Sequence, residues 1–388
     1  MSVTTVQLDP IAVTSGAGYH FFGYYDKQQW DVSGRYLLGL ETTFQDRSPL
    51  STDEAVIGVI DLEGDRSFRP VATTRSWCWQ QGCMLQWLPG SQSQIIYNDR
   101  IADRFVAIIL NVHTGEQKTL PRPIYTISPD GKWALSLNFS RLAIKRPGYG
   151  YNGLRDHWDD VRAAADDGIY LMELATGNHH LVVDVASLSA ASPTEEMRSA
   201  NHWVNHLLFN HTGERFIFLH RWSHPMHGFQ TRFYTVNRDG TDRFLAPVDN
   251  ASHFIWYDAK RFLVWATTEK GSYYYLCTDE TGGVEAFAPG VLTDNGHCTV
   301  SPDGQWILTD EYPDAQNTRP LILYRIADGQ RFDVGRFYSP PELTGEMRCD
   351  LHPRWSRDGR CACFDSAHTG RRQMYVIDVS PVVSQSAS

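Results

Sequence analysis

The sequence lacks a long apolar run, a surplus of basic residues and a recognisable signal peptide. No stretch of its 388 residues approaches the roughly 18 apolar residues that a membrane-spanning helix needs. The first thirteen residues, MSVTTVQLDPIAV, have no basic region followed by an apolar core, so no secretion signal is expected. The formal net charge of −10 argues against a nucleic-acid partner, because polyanion binding normally requires a basic surplus.

Cysteine is scarce and irregularly placed. The seven cysteines form an odd set without framework spacing, and reduced thiols are the simpler interpretation in a chain of this length. Together with the missing signal, this predicts a cytoplasmic protein that does not bind a membrane. We expect a monomer or a dimer.

What the sequence does contain is a repeated turn, a polar tip that ends in glycine and is followed by an aromatic or apolar strand. Its copies are DVSG at Asp31, WLPG at Trp87, SPDG at Ser128, NHTG at Asn210, a degenerate YDA at Tyr257, SPDG at Ser301 and SRDG at Ser356. Asp-Gly and Asn-Gly tips supply the positive φ angles that tight hairpins require.

A second kind of turn alternates with the first. Its copies begin at Asp61, His113, Ala175, Asn237, Asp279 and Ala327. Two hairpin turns per repeat make a four-stranded antiparallel sheet, and repeats of this length fit propeller blades. The sequence therefore predicts an all-β fold, a seven-bladed β-propeller.

The last repeat ends at MYVIDVS without its second hairpin. Residues 1–16 are predicted to supply the missing strand and close the ring, because closure leaves no unpaired sheet edge. The propeller is expected over residues 17–380, with a helical insertion at about 145–170 and a disordered tail at 381–388. Long insertions in a propeller are loops on one face, where function concentrates.

Polar residues precede the first-type turns at the expected mouth of the central channel. They include Gln80, Gln81, Tyr125, Asn205, His206, His253, His297 and His352. His253, His297 and His352 stand at nearly the same point of three successive repeats. Such histidines can be structural, but the run Cys349–His352 adds a Cys-x-x-His spacing, and imidazole with thiolate suits Zn²⁺.

Tyr125 and Arg141 lie sixteen residues apart across one hairpin. Such an offset can bring two side chains onto the same face of adjacent strands. Arg221 and a histidine-rich loop add further positive groups, so a small carboxylate-bearing ligand is expected.

Several motifs resemble the propeller-fold polysaccharide lyases, namely the oligogalacturonate, ulvan and rhamnosyl-glucuronate lyases. They are GYHFFGYYDKQQW, WCWQQGCMLQW, GHCTVSPDGQW and CDLHPRWSRDG. In the ulvan and rhamnosyl-glucuronate enzymes a tyrosine sixteen residues before an arginine is the acid or base, and the arginine neutralises the uronate. The resemblance thus implies catalytic roles for Tyr125 and Arg141, and we expect His206 and Arg221 to bind substrate.

The resemblance also implies a divalent metal. The oligogalacturonate lyases hold one with a histidine and a later Gln-x-x-His cluster, which match His297 and His352, with Cys349 in place of the glutamine. Cysteine favours structural zinc over Mn²⁺ or Ca²⁺, and His253 is the candidate fourth ligand.

The chain departs from the family at Gln80, which stands where the ulvan enzymes have a catalytic histidine. Either His20 or His206 takes that part, Tyr125 works alone, or the chain does something else. His20, Gln80 and Asn205 are expected to contact substrate.

The expected function is cleavage of an acidic oligosaccharide by β-elimination. The alternative is a non-catalytic propeller that binds a sugar or a peptide. A peptidase is disfavoured because no Gly-x-Ser-x-Gly elbow is present.

Overall fold

A computed structural model describes residues 3–384, and β-strands make up most of their regular secondary structure. Two short strands come first, β1 (Thr4–Thr5) and β2 (Ile11–Ala12). Three four-stranded antiparallel sheets follow in chain order. Their strands are β3 (Tyr19–Phe21), β4 (Tyr36–Thr42), β5 (Ala55–Asp61), β6 (Phe68–Thr74), β7 (Gln86–Trp87), β8 (Gln94–Ile101), β9 (Arg104–Asn111), β10 (Gln117–Leu120), β11 (Thr126–Ile127), β12 (Trp133–Ser136), β13 (Gly168–Glu173) and β14 (His179–Asp184).

The next sheet has eight strands, but one residue pair, Asp249 with Thr267, joins its two halves. It therefore divides into two groups of four. The first group is β15 (His202–Phe209), β16 (Arg215–His224), β17 (Gly228–Asn237) and β18 (Phe244–Asp249), and the second is β19 (Phe254–Trp256), β20 (Arg261–Thr268), β21 (Gly271–Thr278) and β22 (Val284–Phe287).

The last two sheets take up the N-terminal strands. One contains β23 (Thr299–Val300), β24 (Trp306–Asp310), β25 (Thr318–Arg325) and β26 (Gln330–Tyr338), and β1 pairs in parallel with β26. The other contains β27 (Arg354–Trp355), β28 (Cys361–Ser366) and β29 (Gln373–Asp378), and β2 pairs antiparallel with β29 as its fourth strand.

The repeated turn builds the same hairpin wherever it ends in Ser-x-Asp-Gly. At Ser356 the hydroxyl donates to Asp358 at 2.6 Å and accepts from the backbone N–H of Cys361 at 2.9 Å. Gly359 occupies the left-handed region at φ 70°, where a side chain would be strained. The equivalent glycines of the turns at Ser128 and Ser301 have φ 68° and 73°.

Buried side chains fill the space between consecutive sheets. Ile96 of β8, Leu135 of β12 and Phe218 of β16 belong to one apolar cluster. Leu308 of β24 and Phe364 of β28 belong to another. Strands in the middle of each group are therefore covered on both faces, and eight consecutive residues of β16 are buried.

Helices are few and short. Helix α1 (Phe139–Lys145) begins at Asn138, whose side chain accepts from the backbone N–H of Arg141 at 3.0 Å. It ends at Lys145, where the predicted helical insertion begins, because Pro147 prevents the helix from continuing. The remaining helices are α2 (Val185–Ala190), α3 (Glu195–Ser199), a 3₁₀ turn (Gly345–Met347) and α4 (Ser380–Val383).

Helix α4 falls in the predicted tail, and its Val382 is buried in the apolar cluster that contains Leu308 and Phe364. That part of the tail is ordered, and residues 385–388 lie outside the described residues. None of the helices between residues 3 and 384 has the length and apolar character that crossing a membrane demands.

Candidate active site

The polar residues singled out in the sequence lie at or just before the first strand of their strand groups. The ring of Tyr24, which follows β3, contacts two of them. It stacks on His206 at 5.2 Å between ring centroids and 19° between planes. It also meets the edge of His352 at 5.0 Å. Tyr24 therefore joins two clusters of side chains, one around Tyr125 and one around His352.

Two glycines bring Tyr24 to this position. A Cβ on Gly23 would lie 2.8 Å from the carbonyl carbon of Gln81, and one on Gly82 would lie 2.6 Å from the carbonyl oxygen of Phe22. Both glycines have positive φ, 127° and 58°. Only glycine allows these two backbone segments to approach so closely.

In the first cluster, the Tyr125 hydroxyl lies 2.7 Å from Nε2 of Gln81 and 3.1 Å from Nδ1 of His206. Tyr125 is fully buried, whereas His206 keeps 7% of its surface exposed. Burial raises the pKa of Tyr125 well above its ordinary value, so the phenol is neutral. Burial, reinforced by Arg221, lowers the pKa of His206 well below its ordinary value.

The backbone of His206 is strained. Its φ is 53°, and β15 carries a bulge between Asn205 and Leu208. His352, two residues before β27, has φ 43°, and Met84 has 55° at the corresponding place before β7. Positive φ is uncommon for residues other than glycine, and such strain concentrates at functional sites.

Two guanidinium groups face the first cluster, and neither has an acidic partner among residues 3–384. Arg146 and Arg221 both lie over the ring of Phe229, at 5.1 and 4.6 Å from its centroid. Nη1 of Arg221 is buried and has no hydrogen-bond partner within residues 3–384. Burial, with the nearby charge of Arg146, lowers the pKa of Arg221 to about 10. An anion would relieve this unfavourable arrangement.

The second cluster has the composition of a metal site. Ligand atoms of His297, Asp350 and His352 lie within 4.8 Å of one another, and all three residues are buried. Nδ1 of His297 lies 2.8 Å from Asp310, which leaves Nε2 for a ligand. Nε2 of His352 is buried, has no hydrogen-bond partner in the described part of the chain, and lies 4.0 Å from Asp350.

Asp350 is fixed in place by two arginines. Nη1 of Arg319 lies 2.7 Å from its Oδ1, and Nη2 of Arg348 lies 2.7 Å from its Oδ2. Burial opposes the carboxylate charge, but these two cations hold the pKa of Asp350 well below its usual range.

Two of the four predicted metal ligands lie outside this group. His253 is adjacent, with its ring 4.0 Å from that of His297 and its Nδ1 2.9 Å from Asn295. Cys349 packs instead with Leu343 and Ala367, and burial raises the pKa of its thiol to about 11. Asp350 stands beside His352 where the sequence had suggested the thiolate.

The structure corrects the predicted placement of Arg141. It lies on α1, not on a strand beside Tyr125. Its donors go to Asp156 and to four backbone carbonyls, those of His202, Trp158, Val161 and Arg162. All five N–H groups are thereby used, so this guanidinium has no donor left for a substrate carboxylate.

The predicted substrate-binding residues are dispersed. His20 lies in β3 between Gln373 at 3.1 Å and Glu41 at 2.9 Å. Gln80 donates to the carbonyls of Glu346 and Arg348 at 3.0 and 2.9 Å, and so positions the loop before Asp350. Asn205 is fully buried with both amide atoms unpartnered in the described chain. His206 and Arg221 lie at the first cluster.

Three residues of the site were missed, and two of them, Tyr24 and Asp350, stand in the quoted motifs. Gln81 stands beside Gln80 among the polar residues that precede the first-type turns, but the sequence assigned it no role. Arg146 ends α1, and no spacing rule links it to Arg221.

Comparison with known proteins supports the fold. No family model matches the chain, and no curated protein matches its sequence. Oligogalacturonate lyase in complex with manganese is similar at a TM-score of 0.70 and 14% identity, over 99% of this chain and 100% of that one. The oligogalacturonate lyase of Vibrio parahaemolyticus is similar at 0.64 and 14%, over 97% and 98%.

One further similar structure is described as a β-propeller. The β-propeller domain of the trilobed protease from Pyrococcus furiosus matches at a TM-score of 0.51 and 10% identity, over 98% of this chain and 95% of that one. At these identities the likeness shows the fold alone. The predicted resemblance to the oligogalacturonate lyases is therefore confirmed as a shared propeller-like, mostly β fold.

Proposed function

We propose that the chain is a lyase that cleaves a uronate-containing oligosaccharide by β-elimination. The observation that carries the proposal is the contact between the Tyr125 hydroxyl and His206, beside two arginines that lack acidic partners. The fold shared with oligogalacturonate lyase supports it.

We also infer that the seven groups of four strands are the blades of one ring. The pairing of β2 with β29 supports closure by the N-terminal segment. In such a ring the first strands of the blades line the central channel, which accounts for the convergence of His206, His297 and His352.

The reaction needs three groups. A base takes the proton from C5, the C5–H electrons form the C4–C5 double bond, and the C4–O bond breaks as its oxygen takes up a proton. Arg146 and Arg221 bind the uronate carboxylate and stabilise the charge that develops on it. The resemblance implied this role for Arg141, but all five of its N–H groups already donate to Asp156 and to backbone carbonyls.

His206 is the proton carrier with access to a ligand, because Tyr125 is fully buried. Nδ1–H of the imidazole donates to the oxygen of the phenol, which its raised pKa keeps neutral and which also accepts from Gln81. This contact fixes the ring and leaves Nε2 as the unprotonated nitrogen. The neutral imidazole, with its lowered pKa, takes the C5 proton, and the pair returns it to the leaving oxygen.

The second cluster fits a divalent ion. The buried, unpartnered Nε2 of His352 and the oriented imidazole of His297 lie around the Asp350 carboxylate. His297, Asp350 and His352 would hold the ion, with His253 adjacent. A bound ion would contribute positive charge next to the acidic sugar. Since Cys349 lies apart, the argument for zinc loses its thiolate, and imidazole with carboxylate suits Mn²⁺ as well.

The test of the activity uses Tyr125→Phe and His206→Gln with acidic oligosaccharides, reading the absorbance of the conjugated unsaturated product. His206→Gln should lose at least about 100-fold in turnover, the usual scale for an acid–base group, and Tyr125→Phe should lose less, because the phenol only positions the imidazole. Tyr338→Phe, on an exposed tyrosine of β26, is the control. Tight binding of the oligosaccharide by the wild-type chain without any elimination would favour the non-catalytic alternative.

The metal proposal has its own measurement. Protein loaded with Mn²⁺ or Zn²⁺ and desalted should retain about one ion per chain, and the ion should raise the melting temperature. His352→Ala should lose both effects, whereas Cys349→Ser and the exposed control His211→Ala should keep them. Loss of the ion in Cys349→Ser would restore the thiolate to the ligand set.

A further inference from the structure

A cavity lies beside the insertion that follows α1. Its volume of about 560 Å³ is within the range of ligand sites in proteins. The insertion contributes Leu154 and Trp158 to its wall, whereas β9 and α1 contribute Phe105 and Phe139. The ring of Phe139 also stacks on that of Tyr125 at 6.1 Å between centroids. Phe139 therefore connects the cavity with the first cluster, although the two are lined by different residues.

The wall of this cavity is largely apolar and is fixed in place. Phe105 and Phe139 are buried, and Leu154 and Trp158 are half-buried. Nε1 of Trp158 donates to Asp166 at 2.7 Å, which holds the indole in one orientation. A rigid wall of aromatic and aliphatic side chains can bind an apolar group at a low cost in conformational entropy.

Three arginines line the cavity, and Arg122 differs from the other two. Arg104 lies 3.8 Å from the carboxylate of Asp103. Arg155 pairs with Asp159 at 3.0 Å. Arg122 forms no ion pair within residues 3–384, and its Nε is buried without a hydrogen-bond partner among them. Arg122 is therefore the lining arginine that still needs a counter-ion.

The guanidinium of Arg122 is oriented and desolvated. Its central carbon lies 3.4 Å from the centroid of the Tyr170 ring, and burial lowers the pKa of Arg122 below its ordinary value. Asp167 lines the same cavity, but its carboxylate accepts from Asn138 at 3.0 Å and forms no ion pair with Arg122. A desolvated cation without a counter-ion is unfavourable, and a carboxylate that enters the cavity would remove this cost.

We propose that this cavity binds a small carboxylate with an apolar body, such as an arylalkanoate. The carboxylate pairs with Arg122, and the hydrocarbon part packs against the apolar wall that contains Leu154 and Trp158. A sugar suits the cavity poorly, because its hydroxyl groups would lie against apolar side chains without hydrogen-bond partners. The site is independent of the proposed elimination activity, and it can be tested on the whole chain without a substrate.

Calorimetric titration with 3-phenylpropionate and with its uncharged amide tests the site. The wild-type chain should bind the carboxylate at least about tenfold more tightly than the amide, because only the anion can pair with Arg122. Glucuronate, an acidic sugar without an apolar body, should not displace the bound phenylpropionate. Equal affinity for the acid and the amide, or displacement by glucuronate, would overturn the proposal.

Three arginine variants locate the bound anion. Arg122→Met keeps an apolar stem, removes the charge and should abolish the preference for the carboxylate. Arg155→Met, at the exposed and paired arginine of the same cavity, is the matched control and should keep the preference. Arg221→Met should keep it as well. Loss of the preference in Arg221→Met but not in Arg122→Met would place the anion at the first cluster and overturn the proposal.

Leu154→Ala tests the apolar wall while Arg122 stays intact, so the proposal remains testable if Arg122→Met does not fold. It should weaken the binding of phenylpropionate by about fivefold, because part of the apolar contact is lost. It should hardly change the binding of acetate, which has almost no apolar body. Unchanged affinity of Leu154→Ala for phenylpropionate would show that the ligand does not lie in this cavity.

Discussion

Two buried arginines illustrate how context decides the role of a residue. Arg141 and Arg221 are 2% and 4% exposed. Arg141 pairs with buried Asp156 at 3.1 Å and caps four carbonyls. Arg221 donates only to the hydroxyl of Thr231 at 3.2 Å, and one of its terminal nitrogens is unpartnered in the described chain. The first arrangement stabilises the fold, and the second stores an unfavourable charge that a ligand can neutralise.

Opposite outcomes are therefore expected for substitutions at the two positions. Arg141→Met should lower the free energy of unfolding by about 3 to 5 kcal/mol, because Asp156 is left buried and unpaired. Its turnover per folded molecule should stay near that of the wild type. Arg221→Met should retain or gain stability, because a desolvated charge is removed, yet lose elimination activity.

Denaturant unfolding and the elimination assay on each variant measure both quantities. A stable Arg141→Met protein with lost turnover would return Arg141 to the catalytic set. An unstable Arg221→Met protein would show that Arg221 supports the fold.

At the scale of elements, β15 and β16 carry a buried histidine pair. His202 Nε2 lies 2.8 Å from the carbonyl of Met197, which can only accept, so this nitrogen carries the proton. His202 Nδ1 must then accept from Nε2 of His220 at 2.9 Å. Nδ1 of His220 is left as a buried acceptor without a partner. Both imidazoles are neutral, and α3 is attached to the sheet through them.

This pair makes stability depend on pH. Burial lowers the pKa of both histidines, and the nearby arginines Arg141, Arg232 and Arg243 add to the effect. The unfolded chain protonates them near pH 6.5, whereas the folded chain resists until lower pH. Stability should therefore fall as the pH drops below about 6.5, by up to about 1.4 kcal/mol per pH unit and histidine.

His220→Gln keeps a donor towards His202 and removes one titrating group. Its free energy of unfolding should fall less steeply between about pH 6.5 and 5 than that of the wild type. His211→Gln, at an exposed histidine, should leave the slope unchanged. Identical slopes in all three proteins would show that the pair does not titrate on unfolding.

The repeated turns were predictable because their conformation is local. A serine, an aspartate and a glycine within four residues suffice to fix a hairpin such as that at Ser356. The prediction that Tyr125 and Arg141 share a face was wrong because it assumed that the strand continues to Arg141, whereas Asn138 caps a helix there. Asp350 was passed over for Cys349 because the Cys-x-x-His spacing was given more weight than the two-residue period of an extended chain, which places Asp350 and His352 on the same face.

For the whole molecule, the decisive feature is the contact between the two ends of the chain. Ile11 and Ala12 pair with Val376 and Tyr375, and the N–H of buried Val13 donates to Met374 at 2.9 Å. Further along, Thr4 pairs with Phe332 in the neighbouring sheet. The N-terminal segment thus covers the outer edges of two sheets, which would otherwise be unpaired.

Deleting residues 1–16 should destabilise the entire chain, not one sheet. Burial of Val13 alone contributes about 1.5 to 3 kcal/mol, and the lost strand pairing adds to it. A peptide of residues 3–16 added to the truncated protein should restore part of the melting temperature in a concentration-dependent way, because it can bind the exposed edge of β29. The same peptide with Val13→Asp should fail, since the carboxylate would enter an apolar cluster. An unchanged melting temperature after the deletion would mean that the other sheets hold together without the N-terminal strand, and the inferred ring closure would have to be abandoned.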